Sequence, residues 1–97
     1  MTNNPRPLLE KLKDVTSEVE AAWQRAEDLL PEVGDDQREG LLKLLSDLDI
    51  LQRRAEVLRA ILQEMAMMSD RQYDEYFSKV EEIRRVFRVK AEELLGH

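Results

Sequence analysis

Apolar residues recur along most of the chain at intervals of three and four positions, which is the spacing of one face of an α-helix. No segment shows the strict apolar and polar alternation of a half-buried strand. Proline and glycine interrupt the pattern at residues 31–34, and a serine interrupts it at residue 69. We therefore predict an all-α protein, an elongated antiparallel three-helix bundle with helices near residues 7–30, 36–68 and 70–95.

The second predicted helix carries a wider apolar surface than the first. Asp36 and Glu39 fit a D-x-x-E variant of the capping box at its start. Its main stripe contains Leu41, Leu44, Leu48, Leu51, Ala55, Leu58, Leu62 and Met65. A second edge, formed by Ile50, Val57, Ile61 and Met68, widens the apolar arc to about 200°. We expect neighbours to contact such a helix from two sides.

The boundary between the second and third helices depends on a short polar signal. Ser69 and Gln72 match the S-x-x-Q capping box, which predicts that one helix ends near Met68 and the next begins at Asp70. Gly96 suits the end of the third helix. The alternative is one continuous helix over residues 36–95, forming a long hairpin or an intertwined dimer, because the apolar phase is almost unbroken at this point.

Helix lengths predict an uncovered tip at one end of the bundle. With short antiparallel connections, the first helix begins level with about residue 60 of the second, which leaves residues 61–68 unsupported. This tip is rich in methionine and aromatic residues, which suit protein interfaces. We predict a partner-binding surface formed by Met65, Met67, Met68, Tyr73, Tyr76 and Phe77. Met67 points by helical phase to the polar face, where a core role does not explain it.

The alternative role of these six residues is to pack on one another and close the end of the bundle. In that arrangement residues 1–6 would cover them. We predict a single helical domain over residues 1–97, in which residues 1–6 form a flexible N-terminal arm.

An arginine lies by helical phase within the apolar arc of the second helix. Arg54 occupies this position, and Asp47 lies two turns earlier on the same face. Because a buried arginine needs a carboxylate partner, we predict a buried structural ion pair between Arg54 and Asp47. Val86 and Val89 lie off the stripe of the third helix and would fit a further helix packing against the wide arc.

The charge is negative and unevenly distributed. The 97 residues include 21 acids and 15 lysines and arginines, a net charge of −6. Residues 1–49 hold 12 acids and 6 bases, whereas residues 50–97 hold 9 of each. An acidic surface repels phosphate backbones, which argues against nucleic-acid binding. We expect an acidic corner, Asp35, Asp36, Asp47 and Asp49, to select basic protein partners.

Candidate chemistry is sparse. The chain has no cysteine, and its one histidine is the last residue, His97, so thiolate sites and interior histidine-based triads or zinc sites are excluded. We predict a non-enzyme that holds no metal or cofactor. No stretch approaches the roughly 20 apolar residues of a spanning helix. We therefore expect a cytoplasmic protein that does not enter a membrane.

The segment AAWQRAEDLL, residues 21–30, followed by two further long helices, resembles a spectrin-type repeat. Phe87 stands where such repeats would have a second tryptophan. The resemblance implies a structural or scaffolding role without catalysis.

These patterns favour a small protein-interaction module, an adaptor or assembly factor that self-associates or receives a partner helix. Within binding proteins, a secretion-type chaperone or a regulatory inhibitor is the close alternative. From another class, the alternative is a carboxylate metal- or ligand-binding bundle formed on dimerisation.

Overall fold

A computed structural model describes residues 2–95 as three helices packed around one core. The helices are α1 (Arg6–Leu29), α2 (Asp35–Glu64) and α3 (Asp70–Leu95). The predicted all-α three-helix bundle is confirmed. Its extents of 54 × 19 × 16 Å agree with the predicted elongated shape. The helix end predicted at Gly96 and the histidine at His97 lie outside the described residues.

Apolar faces of the three helices meet in this core, among them the main stripe predicted for the second helix. Helix α3 adds Val80, Ile83 and Phe87 to the stripes of α1 and α2. Within residues 2–95, no polar or charged side chain is buried, so apolar packing holds the bundle together. The remaining buried apolar residues are Leu8, Leu12, Val15, Val19, Ala22, Ala26, Leu41, Leu44, Leu48, Leu51, Ala55, Leu58, Leu62 and Met68.

Helix α2 begins one residue earlier than predicted, at Asp35. Gly34 is its N-cap residue, and no side chain caps this end. The predicted capping box of Asp36 and Glu39 is therefore wrong, because Asp36 already lies inside the first turn. Its carboxylate, like that of Asp35, lies near the positive end of the helix dipole.

Helix α2 also ends earlier than predicted, at Glu64 rather than Met68. Met65 leaves the helix with an extended backbone, φ −85° and ψ 128°, and its N–H donates a last hydrogen bond to the Leu62 carbonyl. The chain then reverses over residues 65–69 before α3 begins. The alternative of one continuous helix is therefore wrong.

The predicted capping box at the start of α3 is confirmed. The Ser69 backbone N–H donates to Oε1 of Gln72 at 3.0 Å, and the Gln72 backbone N–H donates to Oγ of Ser69 at 3.2 Å. Two donors that the helix itself leaves without partners are thus satisfied reciprocally. This exchange explains why α3 begins at Asp70, as predicted.

The N-terminal residues that the structure describes are paired with the reversal, where the sequence predicts a flexible arm over residues 1–6. Thr2 and Asn3 (β1) form a short antiparallel pair with Met68 and Ser69 (β2). The Asn3 side-chain amide also donates to the Asp70 carboxylate at 2.7 Å. We call residues 2–5 the N-terminal strap.

The predicted overhang at this end is correspondingly absent. Arg6, the first residue of α1, lines the same groove as Gln63, which lies one residue before the end of α2. The early end of α2 removes most of the expected extension, and the N-terminal strap covers the reversal beyond it. Part of the predicted tip is therefore inside the bundle.

Two adjacent methionines in the reversal allow a matched test of this packing. Met68 is 0% exposed and Met67 is 53% exposed. We expect Met68→Ala to lower the free energy of unfolding by about 2 to 5 kcal/mol, because it leaves a cavity in the core. Met67→Ala should stay within about 0.5 kcal/mol of the unchanged protein. Urea denaturation followed by circular dichroism measures both, and equal effects would contradict the described packing.

Candidate protein-binding groove

The six residues of the predicted tip do not form one surface. Met68 is part of the core and is excluded from any contact surface. Met65, Tyr73 and Tyr76 are half-buried against the core. Met67 is exposed, but it lies in the reversal after α2, not on a helix as its predicted helical phase assumes. The predicted partner-binding surface therefore loses Met68, the one residue of the six that is buried.

Phe77 lies on the side of α3 that faces α1. Its ring is stacked with that of Tyr73, with centroids 6.5 Å apart and an interplanar angle of 20°. The Lys11 Nζ atom lies 4.1 Å from the Phe77 centroid, a cation–π contact between α1 and α3. Lys11 also forms an ion pair with Glu81. Phe77, although partly exposed, is thus engaged in packing within the bundle.

Tyr76 lies on the opposite side of α3 and lines a groove between α2 and α3. We call this feature the α2/α3 groove. It encloses about 550 Å³ and lies along the bundle axis. Its lining residues are Ile50, Arg53, Arg54, Val57, Leu58, Ile61, Tyr76, Lys79, Glu82, Ile83 and Val86.

The apolar residues that α2 contributes to the groove belong to the second edge predicted from the sequence. Ile50, Val57 and Ile61 are 48%, 62% and 41% exposed. They lie on one face over eleven residues, which corresponds to about 16 Å of helix or three turns. The expectation that neighbours contact α2 from two sides is met by α1 and α3, yet this edge remains uncovered.

A second groove, between α1 and α2, has a different character. It encloses about 410 Å³, and its side from α2 includes Gln52, Glu56, Arg59 and Gln63. These polar side chains interact well with water. The two sides of α2 therefore differ, and the extended apolar face belongs to the α2/α3 groove.

The predicted buried ion pair between Arg54 and Asp47 is wrong. Arg54 is exposed and lines the α2/α3 groove. Asp47 instead accepts a hydrogen bond from Nζ of Lys90, at 3.1 Å, across the contact between α2 and α3. Arg54 lies within the apolar arc of α2, as helical phase predicts. This part of the arc, however, is covered by neither α1 nor α3.

The predicted acidic corner is also not a single patch. Asp47 is paired with Lys90, and the Asp49 carboxylate lies 3.1 Å from Nε of Arg53. Asp35 and Asp36 lie at the start of α2, about 16 Å away along the helix. Two of the four carboxylates are thus already matched by cations of the same chain.

Residues 2–95 contain no group of three or more histidine, cysteine, aspartate or glutamate side chains placed to hold a metal ion. No helix among them is both long enough and apolar enough to span a bilayer. Comparisons with protein-family models, curated proteins and solved structures gave no match to the chain.

Helical periodicity predicts the components of the groove but does not bring them together. The predicted second edge of α2 contains Ile50, Val57 and Ile61. Val86 belongs to the predicted packing face of the third helix, and Tyr76 belongs to the predicted tip. The missing information was the register of α3 against α2, which sets Tyr76 and Val86 beside that edge. The signal in the sequence for this surface is the helical spacing of Ile50, Val57 and Ile61, which form an apolar edge beside the main stripe of α2.

The contact between Lys11 and Glu81 predicts a pH dependence of stability. A hydrogen bond from Lys11 lowers the pKa of Glu81 below its ordinary value of 4.5, against the opposing effect of partial burial, and the charges of Lys11, Arg84 and Arg88 add to the lowering. A lowered folded-state pKa contributes stability above the ordinary pKa, and this contribution is lost as the pH falls.

We therefore expect the stability difference between the unchanged protein and Glu81→Gln to be largest near neutral pH and to shrink below about pH 4.5. Thermal melts from about pH 7 to pH 3 measure this difference. Glu92→Gln, an exposed position on α3 outside the ion pairs found among residues 2–95, is the control and should show a smaller pH dependence. A difference for Glu81→Gln that stays constant over this range would contradict the assignment.

Proposed function

We propose that the chain is a non-catalytic protein-interaction module that receives a partner helix in the α2/α3 groove. The observation that carries this proposal is the row of exposed Ile50, Val57 and Ile61, which extends over three turns of α2 beside the partly buried side chains of α3. Adaptors and assembly factors act through such surfaces.

The shape of the groove supports a helix as the occupant. Amphipathic helices dock with anchors spaced at positions such as i, i+4 and i+7, which matches a groove formed between two long helices. The apolar row spans about 16 Å, so a partner helix of about three turns would cover it. Burial of such a row on both partners supplies the driving force for association.

The lining supports binding rather than catalysis. It consists of apolar side chains, the tyrosine Tyr76, three cations and one carboxylate, and it includes no histidine, cysteine or serine. A secretion-type chaperone or a regulatory inhibitor would use the same groove, with a partner that is a substrate protein or an enzyme. We place the module in the cytoplasm, in keeping with a chain that has no cysteine for disulfides.

A charge introduced at the most exposed position of the row tests the proposal. We expect Val57→Asp to weaken helix binding by about 2 kcal/mol or more, because it places a carboxylate against the apolar face of the partner. The free energy of unfolding should change by only about 0.5 kcal/mol, since Val57 is exposed. Binding is measured by fluorescence anisotropy with amphipathic helices selected against the unchanged chain from a displayed library.

Leu42→Asp is the matched control for this experiment. Leu42 lies on the same helix, is 52% exposed and does not line the groove. It should leave binding unchanged. A photo-crosslinking amino acid placed at position 57, but not at position 42, should also capture a partner in the cells that produce the protein. Equal effects of the two aspartate substitutions would disprove the proposal.

A further inference from the structure

The lining of the α2/α3 groove has the opposite sign of charge to the chain as a whole. The chain has a net charge of −6, whereas the groove presents Arg53, Arg54 and Lys79 against one carboxylate, Glu82. The cations come from both helices, so both rims of the groove carry positive charge. A partner that docks here meets a positive surface on an otherwise acidic molecule.

Two of these cations are available to a partner. Arg53 is held by Asp49, with 3.1 Å between Nε and the carboxylate. Arg54 and Lys79 are exposed, and neither belongs to an ion pair formed among residues 2–95. Arg54 lies within the apolar row, one turn after Ile50 and one turn before Val57. A cation at this position faces any helix that covers the row.

We infer that the occupant of the groove is an acidic amphipathic helix, with apolar anchors on one face and carboxylates along the edges of that face. This inference rests on the proposed function and adds the chemistry of the partner. The anchors cover Ile50, Val57 and Ile61, and the carboxylates along the edges of the anchor face pair with Arg54 of α2 and Lys79 of α3. The partner has the opposite charge to the basic one that the overall composition favours.

The same charges argue against a second copy of this chain as the occupant. A two-fold dimer with its axis through the groove would place each lining against its own copy. The interface would then bring together Arg54 and Lys79 of both copies, while the lining of each copy supplies one carboxylate, Glu82. Like charges brought together at an interface oppose association, and the net charge of each copy adds to this repulsion.

A displayed library of helical peptides tests the inference. Each peptide is about 20 residues long, with leucine, isoleucine or phenylalanine at anchor positions i, i+4 and i+7. The flanking positions are drawn equally from glutamate, lysine and glutamine. The library is selected against the unchanged chain, against Val57→Asp and against two double variants with the same change in net charge.

The first double variant, Arg54→Glu with Lys79→Glu, reverses the two cations of the groove. The second, Arg59→Glu with Arg71→Glu, is the matched control, because these exposed arginines lie outside the groove and pair with Glu56 and Glu75 on their own helices. Circular dichroism and thermal melts of all variants establish that each is folded before selection.

We expect the unchanged chain and the control to enrich glutamate over lysine at the flanking positions, and the groove variant to enrich lysine over glutamate. For a selected peptide, replacing its flanking glutamates by lysine should weaken binding about tenfold at low salt, as the loss of two partly exposed charge pairs predicts. The difference should diminish in about 1 M salt, where screening acts over about 3 Å.

Equal enrichment of glutamate and lysine by the unchanged chain would overturn the acidic-helix inference and leave the groove as a helix-binding site. Reversal by the control variant as well would overturn it too, because net charge rather than the groove would then set the preference. Failure of the unchanged chain to enrich any peptide over Val57→Asp would overturn both the inference and the proposed function. A dimer in sedimentation equilibrium that Val57→Asp dissociates would assign the groove to a second copy and overturn the inference.

Discussion

The register of α3 against α2 depends on the reversal at residues 65–69, where the chain buries Met68 and caps the next helix. Met68 fills the end of the core, and the exchange of hydrogen bonds between Ser69 and Gln72 sets the first turn of α3. A shift of one residue in this reversal would rotate α3 by about 100° and carry Tyr76 and Val86 away from α2. The α2/α3 groove therefore exists because the reversal is held in place.

The N-terminal strap adds a second constraint at the same end. Thr2 and Asn3 pair with Met68 and Ser69, and the Asn3 side chain reaches the carboxylate of Asp70 at the start of α3. The strap thus joins the beginning of α1 to the beginning of α3. At this end Met68 is buried in the core and Met67 stays exposed, whereas the longer uncovered apolar row lies farther along α2.

The electrostatics of this bundle are local. The overall charge of −6 determines how the protein repels other acidic molecules at long range. At short range, the charge that a partner meets depends on which carboxylates are already paired with cations of the same chain. Asp47 is paired across helices with Lys90, and Asp49 is paired with Arg53 along α2. These pairs remove acidic character from the middle of α2 and leave Arg54 as the free charge on its apolar row. The groove is consequently basic in a protein whose composition is acidic.

The sequence by itself determined the helical class, the number of helices and almost every core position of α2. These features follow from helical periodicity, which is a local property of the chain. It also determined the start of α3, since the Ser69 and Gln72 capping box closes within four residues. Tertiary structure alone decided which sides of α2 are covered. The partner of Asp47, the exposure of Arg54 and the burial of Met68 all depend on where α1, α3 and the strap lie. Helical phase gives the direction in which each side chain points from the axis of its helix. Which of these directions face another helix and which face water is decided only by contacts between residues that are far apart in the sequence.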